Sequence, residues 1–192
     1  MHFKRSSLSH SAPDQGLSGH LLLAHPDLKD HFFAKTVIFL IQHAVEDGAK
    51  GIILNKPIMK TLSQVQSRYT YSPLAKIPVY EGGPLQTDEY LLAGWQKTRE
   101  LGFMKFYFGL ADHAAEGLVS SYAYTHVHCY QGIAAWAVGQ LENEILKSDW
   151  LIMPVVPQLI QIQPESLWTE LLKMLDPGMT LQKNVPQNLE WN

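Results

Sequence analysis

The sequence predicts one α/β domain, built on a mixed, partly antiparallel β-sheet with helices on both faces. Three observations carry this. Residues 21–24, 37–41 and 52–54 are short runs that are apolar at every position, and the last two are rich in β-branched side chains. A strand covered on one face alternates, so runs of this kind suit strands covered on both. Between the second and third runs, Glu46-Asp47-Gly48 is a turn signal that favours antiparallel pairing of those two strands. Finally, amphipathic stretches after residue 60 alternate with further short apolar runs.

The elements follow in order. Thr61 and Gln64 have capping-box spacing, with Leu62, Val65 and Tyr69 on one face of the helix they start. Further strands are expected at 79–81, 90–93, 103–108, 124–129 and 151–153. A helix is expected over 112–119, although Gly117 weakens it by about 1 kcal/mol relative to alanine. Another covers 139–147, where Leu141 and Ile145 are one turn apart. Pro164 suits a first helical turn, and Leu167, Trp168, Leu171, Leu172 and Leu175 form the stripe behind it. Pro177 and Gly178 end that helix. The polar, serine-rich residues 1–18 read as a disordered lead, 19–178 as the domain, and 179–192 as a tail that frays or packs back through Leu189 and Trp191.

Charge and cysteine content narrow the function classes. A formal net charge of −3 leaves no basic excess to release counterions from nucleic acid, so direct DNA binding is not expected. The lone Cys129 cannot form an internal disulfide, and no apolar run approaches the ~20 residues of a membrane span. A cytoplasmic protein without membrane contact is the expectation.

Candidate chemistry begins at Gly51-Ile52-Ile53-Leu54-Asn55-Lys56-Pro57. A buried strand ends there in an amide, a cation and a proline that breaks the ladder, so Asn55 and Lys56 emerge at a strand end where clefts often form. They would offer a hydrogen-bond donor and a point charge to an anion or carbonyl, or else satisfy the turn locally. Glu81-Gly82-Gly83-Pro84 follows another strand. Its paired glycines permit close approach to a ligand, but without the helix start and lysine of a phosphate loop a tight structural turn is the competing reading. Trp136 and Gln140 lie near the start of the 139–147 helix, where Gly139 could expose free N–H groups to an anion; packing is the alternative for Trp136, and Glu144 and Lys147 read as exposed decoration. His126 and His128 share a strand face at a usable ligand spacing, with Cys129 opposite, but nothing selects a third ligand. No nucleophile elbow or Rossmann glycine pattern is present, and no cofactor is implied.

Taken together, these stretches resemble the YqgE/AlgH family of bacterial proteins. The resemblance is carried by Gly19-His20-Leu21-Leu22-Leu23-Ala24 with Pro26, Leu28 and Asp30, then Phe33, Val37, His43, Gly48-Ala49, Gly51 and Asn55-Lys56-Pro57. Gly82-Gly83-Pro84, Gly132, Trp136, Gly139-Gln140-Leu141-Glu142, Trp150-Leu151 and Leu167-Trp168 complete it. Ile133 and Ala135 stand where the family has tyrosine and glycine, which marks a divergent member. The resemblance implies a mixed α/β fold, and one branch of the family is described as a transcriptional regulator of alginate production; it supplies no catalytic residue to transfer. The resulting expectation is a binding or regulatory protein with an unknown protein partner or small-molecule ligand, contacting it through Asn55, Lys56, Glu81, Gly82, Gly83, Trp136 and Gln140. The alternative is a small-anion or nucleotide binder, or an enzyme, in which Lys56, Gly82-Gly83 and Gly139 converge on one pocket.

Overall fold

The three apolar runs become adjacent antiparallel strands, β1 (His20–Ala24), β2 (Val37–Ala44) and β3 (Gly48–Ile53). The computed structural model describes residues 16–44, 46–97, 104–121 and 125–175. β2 and β3 pair from Ile38↔Ile53 to Ala44↔Gly48, as the Glu46-Asp47-Gly48 turn predicts. Successive side chains of β1 enter opposite cores, because the strand period is two. Leu21 and Leu23 pack with Val37, Phe39 and Ile52, whereas Leu22 and Ala24 pack with Ile38, Leu40 and Ile53. Burial on both faces is the reason that these strands show no alternation in sequence.

β1 also pairs with β9 (Trp150–Pro154), which forms one border of the sheet. The remaining strands converge on β8 (Thr125–Trp136). Its first part pairs antiparallel with β6 (Leu85–Lys97) and parallel with β5 (Pro78–Glu81), and its last three residues pair antiparallel with β3. β4 (Pro57–Thr61) borders β5, and β7 (Met104–Phe108) borders β6. Strand β8 therefore joins two halves of a nine-stranded, mostly antiparallel sheet. Gly132 sits at the joint with φ +75°, and the chain of Gly82-Gly83 is packed directly against its backbone.

Helices cover both faces, as predicted. Helix α4 (Pro164–Leu175) buries Leu167, Trp168, Leu171 and Leu172 on the core of Leu21 and Leu23, and the Trp168 indole donates to the Ala24 carbonyl at 2.8 Å. Helix α3 (Gln140–Leu146) places Leu141 in the opposite core beside Leu22. Helix α1 (Leu62–Val65) and helix α2 (Asp112–Ser121) share a third core with Leu92, Val127 and Cys129.

Several elements differ from the sequence reading. Pro57 does not end the ladder but opens β4, pairing with Tyr80; a first position on a border strand needs no N–H. The capping box forms at Thr61, yet α1 lasts four residues and Tyr69 is buried in a separate 3-10 turn, Ser67–Tyr69. β6 runs 13 residues rather than four, because its exposed start at 85–89 carries no apolar pattern. β8 continues past Cys129 to Trp136. Leu17 and Ser18, read as part of the lead, are tied to β2: the Leu17 N–H donates to His43 Nδ1 at 2.8 Å, and Ser18 Oγ accepts from the His43 N–H at 2.7 Å. Residues 1–15, Phe103, Tyr124, Pro177, Gly178 and the 179–192 tail lie outside the described residues.

Candidate functional site

The chain brings Asn55, Lys56, Glu81, Gly82 and Gly83 together, but most of their polar groups are engaged by neighbouring protein groups. Asn55 Oδ1 accepts from the Val37 N–H at 2.8 Å, and its Nδ2 donates to the Lys35 carbonyl at 2.9 Å. Lys35 has φ +58°, so the Asn55 amide braces a left-handed residue at the entry to β2. Lys56 Nζ donates to the Phe32 carbonyl, lies 3.9 Å from the Phe32 ring centroid and pairs with Glu81 Oε2 at 3.3 Å. Gly82 accepts from the Ile53 N–H at 2.9 Å and donates its own N–H to Gln131 at 2.7 Å. Both glycines are buried against β8, so the close approach that they permit is to backbone.

Trp136 and Gln140 meet at a residue that the sequence reading treated as decoration. Glu144 Oε2 accepts from the indoles of Trp136 at 2.8 Å and Trp150 at 2.7 Å, while Oε1 accepts from Gln140 Nε2 at 2.9 Å. Both indoles are buried, edge to face with centroids 6.0 Å apart. A carboxylate on a short helix between two flanking tryptophans was the signal available in sequence, since each indole bond spans only six or eight residues.

A cavity of about 180 Å³ opens elsewhere, and none of Lys56, Gly82, Gly83 or Gly139 lines it. Its polar wall is one face of β8, where His126, His128 and Tyr130 recur at every second residue. Tyr80 from β5 stacks on His128 with centroids 4.8 Å apart, and Trp95 from β6 closes that side. The far wall comes from the 3-10 turn Leu159–Gln161 and the start of α4, which contribute Leu159, Ile160, Ile162, Gln163, Pro164 and Leu167. His126 and His128 are 6.5 Å apart as rings, and no group of three or more His, Cys, Asp or Glu side chains suited to a metal occurs among the described residues. Among the described residues the pair is therefore not joined by a third ligand of these types.

Burial sets the electrostatics of this cavity. It pushes His128 down to about 4, helped by the charge of His126, and pushes the phenols of Tyr80 and Tyr130 up. On the opposite face, burial raises the Cys129 thiol to about 12, which leaves it un-ionised and a poor nucleophile at neutral pH. His128, Tyr80, Tyr130 and Cys129 are therefore neutral near pH 7.

One pH dependence follows. His128 binds its proton near 6.5 in the unfolded chain but near 4 in the fold, so between these values the unfolded state holds more protons. Its stabilising contribution is complete above about pH 6.5 and is lost as pH falls towards 4, by at most about 3 kcal/mol. Glu142 acts in the same direction. Its own backbone N–H and then His43 hold its carboxyl below the ordinary value, so its contribution also disappears in acid. Urea midpoints at pH 7.5 and 4.5 should fall steeply for the wild type and less for His128→Phe; equal slopes would remove His128 as a source.

Known proteins resemble this chain over most of its length. A family model described as AlgH-like matches residues 21–180. A UPF0301 protein of Pseudoalteromonas translucida is 29% identical over 172 residues, covering 84% of this chain and 92% of that protein. A UPF0301 protein of Mycobacterium tuberculosis is 27% identical over 183 residues, covering 91% and 90%. Among solved structures, the AlgH protein of Pseudomonas aeruginosa superposes with a TM-score of 0.66 at 23% identity, covering 94% of this chain and all of that one. A Corynebacterium diphtheriae protein gives a TM-score of 0.67 at 22% identity, covering 93% and 95%. At those identities the structural likeness speaks for the fold.

Proposed function

The chain belongs to the AlgH-like family, and from that premise we propose that it is a binding protein with a regulatory role, which takes a small molecule in the cavity beside His128. The observation that carries this reading is the cavity itself. Ligand sites combine apolar walls with a few convergent polar groups, and here aliphatic side chains from 159–167 face a row of histidine and tyrosine. A ligand in that space would bridge the sheet and the entry to α4, so its presence would be felt in how the C-terminal helix is held. Such a change is one that a protein partner could read.

The same reading keeps the protein in the cytoplasm, on the strength of the lone Cys129, and away from direct contact with DNA, on the strength of its net charge of −3. Among the described residues no helix is long and apolar enough to cross a membrane. The nucleotide reading gains little from the geometry. Lys56 is engaged by Phe32 and Glu81, and α3, the helix that follows Gly139, is only seven residues long.

A thermal-shift screen with single-ring compounds tests the reading. Ligand at a hundred times its dissociation constant should stabilise the fold by about 2.7 kcal/mol. Ile160→Trp, which fills the cavity, should abolish that shift while the free variant still melts cooperatively. Hits that stabilise Ile160→Trp as much as the wild type would move the site elsewhere.

A further inference from the structure

The size and hydrogen-bonding polarity of the cavity say more about what it would hold, on the premise that it is a ligand site. A dry cavity of about 150 Å³ accepts benzene, so about 180 Å³ suits one ring with a small substituent and is too small to enclose a nucleotide. Aromatic and aliphatic walls face each other across it, with Tyr80 and Trp95 on one side and Ile160, Ile162 and Leu167 on the other.

The polar groups are not symmetrical in what they offer. Tyr130 Oη lies 3.4 Å from His128 Nδ1. The Trp95 indole, which can only donate, lines the same side of the cavity as Tyr130. In one tautomer of His128 the phenol donates to Nδ1. A neutral imidazole that accepts at Nδ1 carries its proton on Nε2. No side chain or backbone group among the described residues pairs with that N–H, and it is not among the fully enclosed unpartnered atoms. In that tautomer the Tyr130–His128 pair ends in a donor without a protein acceptor among the described residues. Charge is the other discriminator. No lysine or arginine lines the cavity, and Glu165 in the first turn of α4 is close enough to oppose ionisation of Tyr80. An anion would meet no lysine or arginine there and would face that carboxylate.

We infer that this cavity selects an uncharged, single-ring molecule carrying a carbonyl-type acceptor, with His128 Nε2 as the donor that recognises it. Burying that acceptor against an N–H satisfies both groups, whereas a plain hydrocarbon leaves the donor unpaired.

Three probes of similar size separate the outcomes: acetophenone, toluene and benzoate, titrated into the full chain and followed by the Trp95 indole resonance. Acetophenone should bind about tenfold more tightly than toluene, and benzoate most weakly. His128→Phe keeps the ring stacked on Tyr80 and should bring acetophenone to within about twofold of toluene, with the variant's dispersed spectrum verifying its fold. Equal binding of toluene and acetophenone, tightest binding of benzoate, or an acetophenone preference that survives in His128→Phe would each overturn the selection while leaving the cavity as a ligand site. Silence from all three probes would overturn the ligand site and this inference with it.

Discussion

Gly83→Ala should destabilise the protein by more than about 4 kcal/mol, enough to remove most of the folded population of a marginally stable domain. A methyl group on Gly83 would overlap the carbonyl carbon and oxygen of Ile133 and the nitrogen of Ala134, all backbone atoms of β8. No rotamer change relieves a collision between two main chains. β8 cannot move aside either, because at this point its partners change from β5 and β6 to β3. Gly132 reinforces the constraint: it holds φ +75° directly against the carbonyls of Gly83 and Leu85, so the two segments are mutually fixed. Gly117→Ala is the internal control. Nothing lies within 4 Å of a methyl at that site in α2, and the change should stabilise by about 0.5–1 kcal/mol. Urea unfolding of both variants measures the contrast. A Gly83→Ala protein that folds with near-wild-type stability would show that the contact with β8 is looser than the geometry states.

This joint also shows where the sequence stops being informative. The runs at 21–24, 37–41 and 52–54 announce themselves because burial on two faces demands apolar residues at each position. The β2–β3 hairpin and the Thr61–Gln64 capping box are local, so a few adjacent residues specify them. β8 is harder to read, because Gln131-Gly132 resembles a loop unless the approach of Gly82-Gly83 is known. The first five residues of β6 are exposed and carry no pattern at all. The site divides on the same principle. His126 and His128 were visible as a same-face pair, and one further step of the alternation reaches Tyr130. Their companions Tyr80, Trp95 and Leu167 come from separate stretches whose meeting depends on tertiary structure. At Asn55 and Lys56 the sequence located a polar strand end correctly, but it could not say that Lys35, Phe32 and Glu81 would be waiting there.

Glu144→Ala should cost about 2–4 kcal/mol, an unusual penalty for a residue on a short, partly exposed helix. The direct loss is of two charge-assisted bonds to one oxygen, from Trp136 at 2.8 Å and Trp150 at 2.7 Å. The larger part is what remains: two indole N–H groups on buried rings, neither of which can act as an acceptor or reorient without unpacking the core around Leu22 and Leu141. Glu144→Gln separates charge from geometry. Its amide oxygen can still accept from the indoles, but its NH₂ would then face the donor of Gln140, so a cost of about 1 kcal/mol is expected. Alanine should also shift tryptophan emission as water reaches the indoles, whereas glutamine should leave it near that of the wild type. The Trp136 ring closes the end of β8, and the Trp150 ring begins β9; Glu144 thereby ties one half of the sheet to its far border through α3. If alanine and glutamine prove equally mild, the indoles have found water, and α3 is held by Leu141, Ile145 and the Glu142–His43 pair.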